Sequence, residues 1–311
     1  MTAAPRAPRI VSLLPSATEL VCAVGGADDL VGVSHECDFP AAIRDRPVLT
    51  RSRIDPHAAS AAIDQAVRSV IRDALSIYAI DEAALAALAP DVIITQDLCL
   101  VCAVSLDDVR AAVARLAHNA DIAIVTLTPT RLAHVLDDIE RVAAAIGRAD
   151  AGTTARAALQ ARIDAIAARA RAASSRPRVV SLEWIDPLML GGTWMPELIA
   201  IGGGTAVGAI AGAPAPTVDA AAVAALAPEV IVVKPCGFGL ARALAELDAL
   251  DRALPAAARG GARVYVTDGN AYFNRPGPRL VESAEILAAC THPDRFADLA
   301  TRHADAIVRI G

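Results

Sequence analysis

The sequence predicts an α/β protein of two Rossmann-like lobes with parallel sheets, joined by a long backbone helix. Two internal echoes and one long helical stretch between them carry that prediction. The segment at 176–182, Arg-Pro-Arg-Val-Val-Ser-Leu, echoes Ala-Pro-Arg-Ile-Val-Ser-Leu at 7–13. The segment at 221–233 echoes that at 83–95, each reading as Ala-rich helix, Ala-Pro-acid, then β-branched strand. Two echoes in the same order mark a duplicated architecture. Strand patterns alternating with helical ones imply parallel sheets covered by helices on both faces.

Taken in order, each half opens with a buried-type strand, and the proline after each Ala-rich helix ends it before an apolar strand. Later strand-type runs lie at 122–127 and at Arg263–Thr267. An extra segment at 55–78, with Ala62, Val67, Val70, Ile71 and Leu75 at helical spacing, predicts a helix that the second half lacks. Thr130 is placed to cap a helix that Gly147 ends. A second helix is expected over about 150–173, which at ~1.5 Å per residue is roughly 35 Å long. The expected organisation is therefore 1–129 as the N-terminal lobe, 130–175 as connecting helices including the backbone helix, and 176–311 as the C-terminal lobe. Pro278 is expected to start the terminal helix.

Composition narrows the function classes. Apolar residues make up 55% of the 311, so core formation is not limiting, and aromatics only 3%, so each ring's position is informative. A net charge of −6, with arginines interspersed among acids, gives no basic stripe and argues against nucleic acid as a partner. No run of ~18 apolar residues predicts a membrane span. Arg6 and Arg9 before Ile10 faintly resemble a signal peptide. Pro15 and Glu19 break the run, however, and the segment reads better as the first strand and helix, so a cytoplasmic location is expected with a periplasmic one as the alternative. Six cysteines are too few for a disulfide scaffold. No phosphate loop, nucleophile elbow or His-Glu-x-x-His motif is present, so no catalytic residue is assigned and an enzyme using Glu36 or Glu183 as base ranks lowest.

Four clusters stand at predicted carboxyl ends of strands, where open parallel sheets bind ligands. The first is Ser34, His35, Glu36, Cys37 and Asp38, a concentration of metal-capable groups weighed against a plain polar loop. The second is Gln96 and Asp97 followed by Cys99 and Cys102, whose Cys-x-x-Cys spacing suits one metal ion, a redox pair, or two thiols packed in a turn. The third is Glu183 and Trp184 with Trp194, which places both tryptophans of the chain after one strand, as a pocket rim or as core. The fourth is Tyr272, Phe273 and Arg275, an aromatic wall with a cation for a carboxylate or amide. His35, Cys37, Cys99 and Cys102 form a candidate metal set.

The run Arg-Ile-Val-Ser-Leu-Leu-Pro-Ser-Ala-Thr-Glu-Leu at 9–20, then Gly25, the segment 30–34, Asp38-Phe39-Pro40, the segment 88–94, Gly202 to Gly204 and Pro278-Arg279-Leu280 extend over nearly the whole chain. In these motifs the sequence resembles the helical-backbone class of ABC-transporter substrate-binding proteins, in its cobalamin-binding branch. The resemblance implies a ligand cleft between the lobes and a soluble, non-enzymatic binding protein for cobalamin or a related corrinoid or metal chelate. Direct binding of a metal ion, and the substrate-binding role in an ABC importer, stand as alternatives. The family's docking glutamates fall on Ala83 and Ala221, with Asp81, Glu82 and Asp219 nearby, which weighs against a permease partner. A tyrosine of the family's cleft falls on Glu36, and a tryptophan near Thr95 and Gln96.

Overall fold

The computed structural model describes residues 6–72, 77–97, 106–115 and 122–310. The chain divides into two compact units: Met1–His57, Gln65–Pro129 and His134–Ala157 in the first, and Ala58–Asp64, Thr130–Ala133 and Ala158–Gly311 in the second.

The described residues of the first unit hold β1 (Ile10–Ser12), β2 (Leu30–Val33), β3 (Thr50–Ser52), β4 (Tyr78–Ile80), β5 (Val92–Gln96) and β6 (Ala123–Leu127). Four of them form a sheet in the order β2-β1-β5-β6, with every pairing parallel. β3 and β4 pair antiparallel beside it, and the sequence pattern did not predict them. One face of the sheet packs around Val11, Leu13, Leu49, Leu85, Ile93 and Val109. The predicted helix at 55–78 is present as Ser60–Arg72.

The second unit holds β7 (Arg178–Trp184), β8 (Met189–Leu190), β9 (Thr205–Ala206), β10 (Val230–Val233), β11 (Arg263–Thr267) and β12 (Ile307–Arg309). Its sheet runs β12-β11-β10-β7-β8, with β9 also on β7. The central strands β11, β10 and β7 are parallel, while β8 and β12 are antiparallel additions at the margins. The buried centre is read as continuous apolar strands such as Val230–Val233, as expected for a sheet covered on both faces. The connecting helices are Leu132–Ala145, followed by Gly147 at φ 73°, and Ala149–Arg171. The first backbone N–H of the former, from Leu132, donates to the Glu197 carboxylate at 2.9 Å.

The echoed motifs share one mechanism. In the first unit the Arg9 backbone N–H donates to Asp91 Oδ2 at 2.7 Å, and Arg9 Nε donates to the Leu88 carbonyl at 2.8 Å. In the second, the Arg178 N–H donates to Glu229 Oε2 at 2.8 Å and Arg178 Nε to the Leu226 carbonyl at 2.9 Å. The arginine thus satisfies an orphan carbonyl at the helix end, and the acid after the proline satisfies the backbone where the unit's first strand begins. Between them stand Ala89 and Ala227, in the left-handed region at φ 41° and 43°. That conformation ends the helix, and the following proline forbids its continuation. An L-residue there is strained, so Ala227→Gly is expected to stabilise the protein by ~0.5–1 kcal/mol once the extra freedom of glycine in the unfolded chain is subtracted. A urea midpoint that falls in the variant would show that Ala227 is not strained.

Candidate functional site

The carboxyl edge of the first sheet carries a directed hydrogen-bond chain. The Thr50 hydroxyl donates to Ser34 Oγ at 3.0 Å. Its oxygen therefore accepts from the His35 backbone N–H at 3.0 Å and from His35 Nδ1 at 2.7 Å. This puts the proton of the neutral imidazole on Nδ1 and leaves the Nε2 lone pair directed away from Thr50. Burial pushes the His35 pKa down, against an opposing pull from Glu36, so the ring is neutral at pH 7. Its Nε2 is 4.0 Å from Glu36 Oε1, which accepts from Tyr78 at 2.8 Å, and the His35 and Tyr78 rings are 5.2 Å apart. The partners come from β3 and β4, the two strands that sequence periodicity missed.

Cys37 is turned inward. Its buried sulfur lies 3.1 Å from Thr18 Oγ1, whose own proton goes to Ser12 Oγ at 2.8 Å, so the thiol donates to Thr18. Cys37 is thus buried beside Thr18 rather than presented at the surface of the edge. Cys99 and Cys102 lie outside the described residues. Among the described residues no group of three or more His, Cys, Asp or Glu side chains is arranged to hold a metal ion. Gln96, the last residue of β5, is buried, and its amide nitrogen has no hydrogen-bond partner among the described residues; Asp97 is exposed.

The carboxyl edge of the second sheet is built on Lys234, directly after β10. It is the sole lysine of the sequence, and it is 0% exposed. Its Nζ donates to Glu183 Oε2 at the end of β7 (3.0 Å) and to Asn274 Oδ1 beyond β11 (3.1 Å). Asn274 Nδ2 in turn donates to the Gly269 carbonyl at 3.0 Å. Gly191 is needed beside this network, because a Cβ there would stand 2.4 Å from Ser181 Oγ and 3.2 Å from Lys234 Cε. Glu183, with its side chain 27% exposed, is held as an oriented hydrogen-bond acceptor at a strand end.

The tryptophans separate. Trp184 is half-buried, stacked at 5.3 Å against Phe238, with its indole N–H donating to the Asp186 carbonyl. Trp194 is only 6% exposed and donates to the Phe273 carbonyl at 3.0 Å, and Phe273 is fully buried. Trp194 belongs to the interior, which corrects its reading as pocket wall: a buried indole takes an internal carbonyl to satisfy its N–H, while Trp184 keeps part of its surface exposed. Tyr272 is half-buried, edge-on to His303 at 5.9 Å. Arg275 is buried, with Nη2 on Asn270 Oδ1 at 3.0 Å. Lys234, Asn274 and Thr50 were not singled out from sequence. A lone lysine after four apolar residues was the available signal for the first.

The positions equivalent to the docking glutamates, Ala83 and Ala221, lie in the helices Glu82–Leu88 and Ala220–Ala225. Asp81 and Asp219 cap those helices, accepting from the Ala84 and Ala222 N–H groups at 2.9 and 2.7 Å. Among the described residues no helix is long and apolar enough to cross a membrane.

The sequence matches the periplasmic binding protein family over residues 10–270. No curated protein matches it significantly. Among solved structures it is similar to a periplasmic heme-binding protein of Pseudomonas aeruginosa, at 19% identity and TM-score 0.69, covering 93% of this chain and 94% of that one. It is also similar to the vitamin B12-binding protein BtuF of Vibrio cholerae (21%, 0.62, 94% and 98%) and to the heme-binding protein RhuT of Roseiflexus sp. RS-1 (22%, 0.66, 95% and 100%). At these identities the structures establish a shared fold, that of the substrate-binding proteins the motifs resemble. The expected cytoplasmic location draws no support from a family described as periplasmic, and the alternative fits it. With a family match across most of its length, this chain belongs to the periplasmic binding proteins, which bind substrates and do not transform them.

Proposed function

We propose that the chain binds a planar metal chelate of heme or corrinoid type, and that His35 Nε2 is the group it offers to the metal's open axial position. The observation that carries this reading is the 2.7 Å contact between His35 Nδ1 and Thr50 Oγ1, which fixes the ring and leaves Nε2 free of Thr50. Metal-bound imidazoles are characteristically oriented by a hydrogen bond from the other ring nitrogen, and here Thr50 takes the Nδ1 proton while burial keeps the ring neutral. Gln96, with a donor that no described residue satisfies, is available to a polar arm of the ligand. The printed names of the structural neighbours, heme-binding and vitamin B12-binding, fit the same chelate class. We read the location as periplasmic on the family description.

Titrating the purified protein with hemin and, separately, with cyanocobalamin while recording visible spectra tests the reading. One of the two is expected to bind with a shifted absorption band. His35→Ala is expected to abolish that shift and to weaken binding by at least about tenfold, near 1.4 kcal/mol, with little change in the urea midpoint. Binding of neither chelate, or an unchanged spectrum in the variant, overturns the assignment.

A further inference from the structure

The second unit has a recess of about 600 Å³ at the opposite margin of its sheet from Glu183 and Lys234. It lies where β7 and β11 begin and where the helices Ala149–Arg171 and Leu280–Thr291 end. Its lining includes Arg169, Arg263, Arg295, Thr291, His292 and Asp294. In a protein of net charge −6, three arginines against one carboxylate is a local inversion of sign.

The three cations are not equivalent. Arg169 is ion-paired with Asp298 at 2.5 Å and also reaches the Arg295 carbonyl. Arg263 and Arg295 have no carboxylate within ion-pair distance among the described residues. Instead, each is oriented by a backbone carbonyl. Arg263 Nη2 donates to the Thr291 carbonyl at 2.9 Å, and its guanidinium also meets the Tyr265 hydroxyl. Arg295 Nη2 donates to the Ala172 carbonyl at 2.7 Å. A guanidinium has five N–H donors, so a single carbonyl orients the plane and leaves donors over for a second partner. The Thr291 side-chain hydroxyl is 1% exposed and has no hydrogen-bond partner among the described residues. A buried hydroxyl left in that state costs free energy.

We propose that this recess is a binding site for a small phosphate-type oxyanion, with Arg263 and Arg295 as its cationic clamp. Arginine's planar fork matches tetrahedral and planar oxyanions. The recess has room for an organic substituent, and Asp294 can accept from a hydroxyl on it. The proposal is independent of the chelate reading, since none of its residues lies at the strand carboxyl ends.

The test is calorimetric titration with inorganic phosphate and with pyrophosphate at low and at raised ionic strength. Saturable binding that weakens with salt is expected. Arg295→Gln, at an exposed position, is expected to weaken phosphate by about tenfold without lowering the thermal midpoint, and Arg263→Gln by at least as much. His35→Ala should bind phosphate as the parent does, so that failure of this proposal and failure of the chelate reading can be told apart. Absence of saturable binding, or affinities in both arginine variants equal to the parent's, overturns the site.

Discussion

Replacing Lys234 by methionine is expected to destabilise the protein by about 3 kcal/mol, one of the two largest single-residue effects we foresee. Lys234 is fully buried and its ammonium neutralises Glu183 at 3.0 Å while donating to Asn274 at 3.1 Å. Methionine matches the aliphatic stem and fills the space against Gly191. What is lost is the charge, which leaves a carboxylate in a largely dry setting and the Asn274 carbonyl oxygen without its donor. Removing one member of a buried pair typically costs about 3–5 kcal/mol, and the lower end applies because the Glu183 side chain keeps 27% of its exposure. Removing both charges should recover most of the loss, since apolar replacement of a whole buried pair is often close to neutral. Urea unfolding of Lys234→Met, Glu183→Leu and the double variant forms a cycle in which the double variant should be more stable than Lys234→Met alone. Equal midpoints for Lys234→Met and the parent would mean that the pair contributes nothing and that Glu183 is oriented by other groups.

This network also shows where reading the chain from its residues succeeded and where it stopped. The duplication was legible because each echoed residue has a local task. Arg9 and Arg178, and Asp91 and Glu229, tie strand starts to helix ends in the same way, so the spacing survives in both halves. The helix Ala149–Arg171 and the strand Arg263–Thr267 were legible from length and β-branching alone. β3, β4, β8 and β9 were not, because strands of two or three residues are too short to display a period. The site was legible only as a set of positions after strands. His35 was named, but the hydroxyl that orients it is Thr50, brought alongside by pairing with a strand that no local pattern marks. Trp194 misled because rarity of aromatics says that a ring matters, not whether it matters to a ligand or to the core. Its neighbourhood is decided by Phe273, 79 residues away. Lys234 carried a purely compositional signal, one lysine among 29 basic side chains. A compact ammonium fits between Glu183 and Asn274, where a guanidinium fork would need more room and more acceptors.

Acid should destabilise the second unit through Glu285. This carboxylate, in the helix Leu280–Thr291, is buried, yet its pKa is held down to about 2. Burial by itself acts the other way, favouring the neutral acid. It is outweighed by hydrogen bonds from His303 Nε2 at 2.8 Å and Arg162 Nη2 at 2.9 Å and by the charge of those groups, with Arg302 at 3.4 Å adding to them. The folded pKa lies below the value near 4.3 of an unfolded glutamate, so the stabilisation is fully present above about pH 5 and is lost as the pH falls toward 2. The displacement corresponds to about 3 kcal/mol at neutral pH. Glu285→Gln should therefore be less stable than the parent at pH 7 by a comparable amount, since it also leaves Arg162 and His303 facing an amide, and the gap should close by about pH 2. Asp298, held down to about 2 by its hydrogen bond to Arg169, titrates in the same range but is present in both proteins and cancels in the difference. Unfolding midpoints measured at intervals between pH 7 and pH 2 give the two curves. Convergence at low pH would establish Glu285 as the anchor that fastens Arg162 of the long helix to the helix Leu280–Thr291. Curves that stay parallel would show that its charge is as well solvated in the unfolded chain as in this pocket.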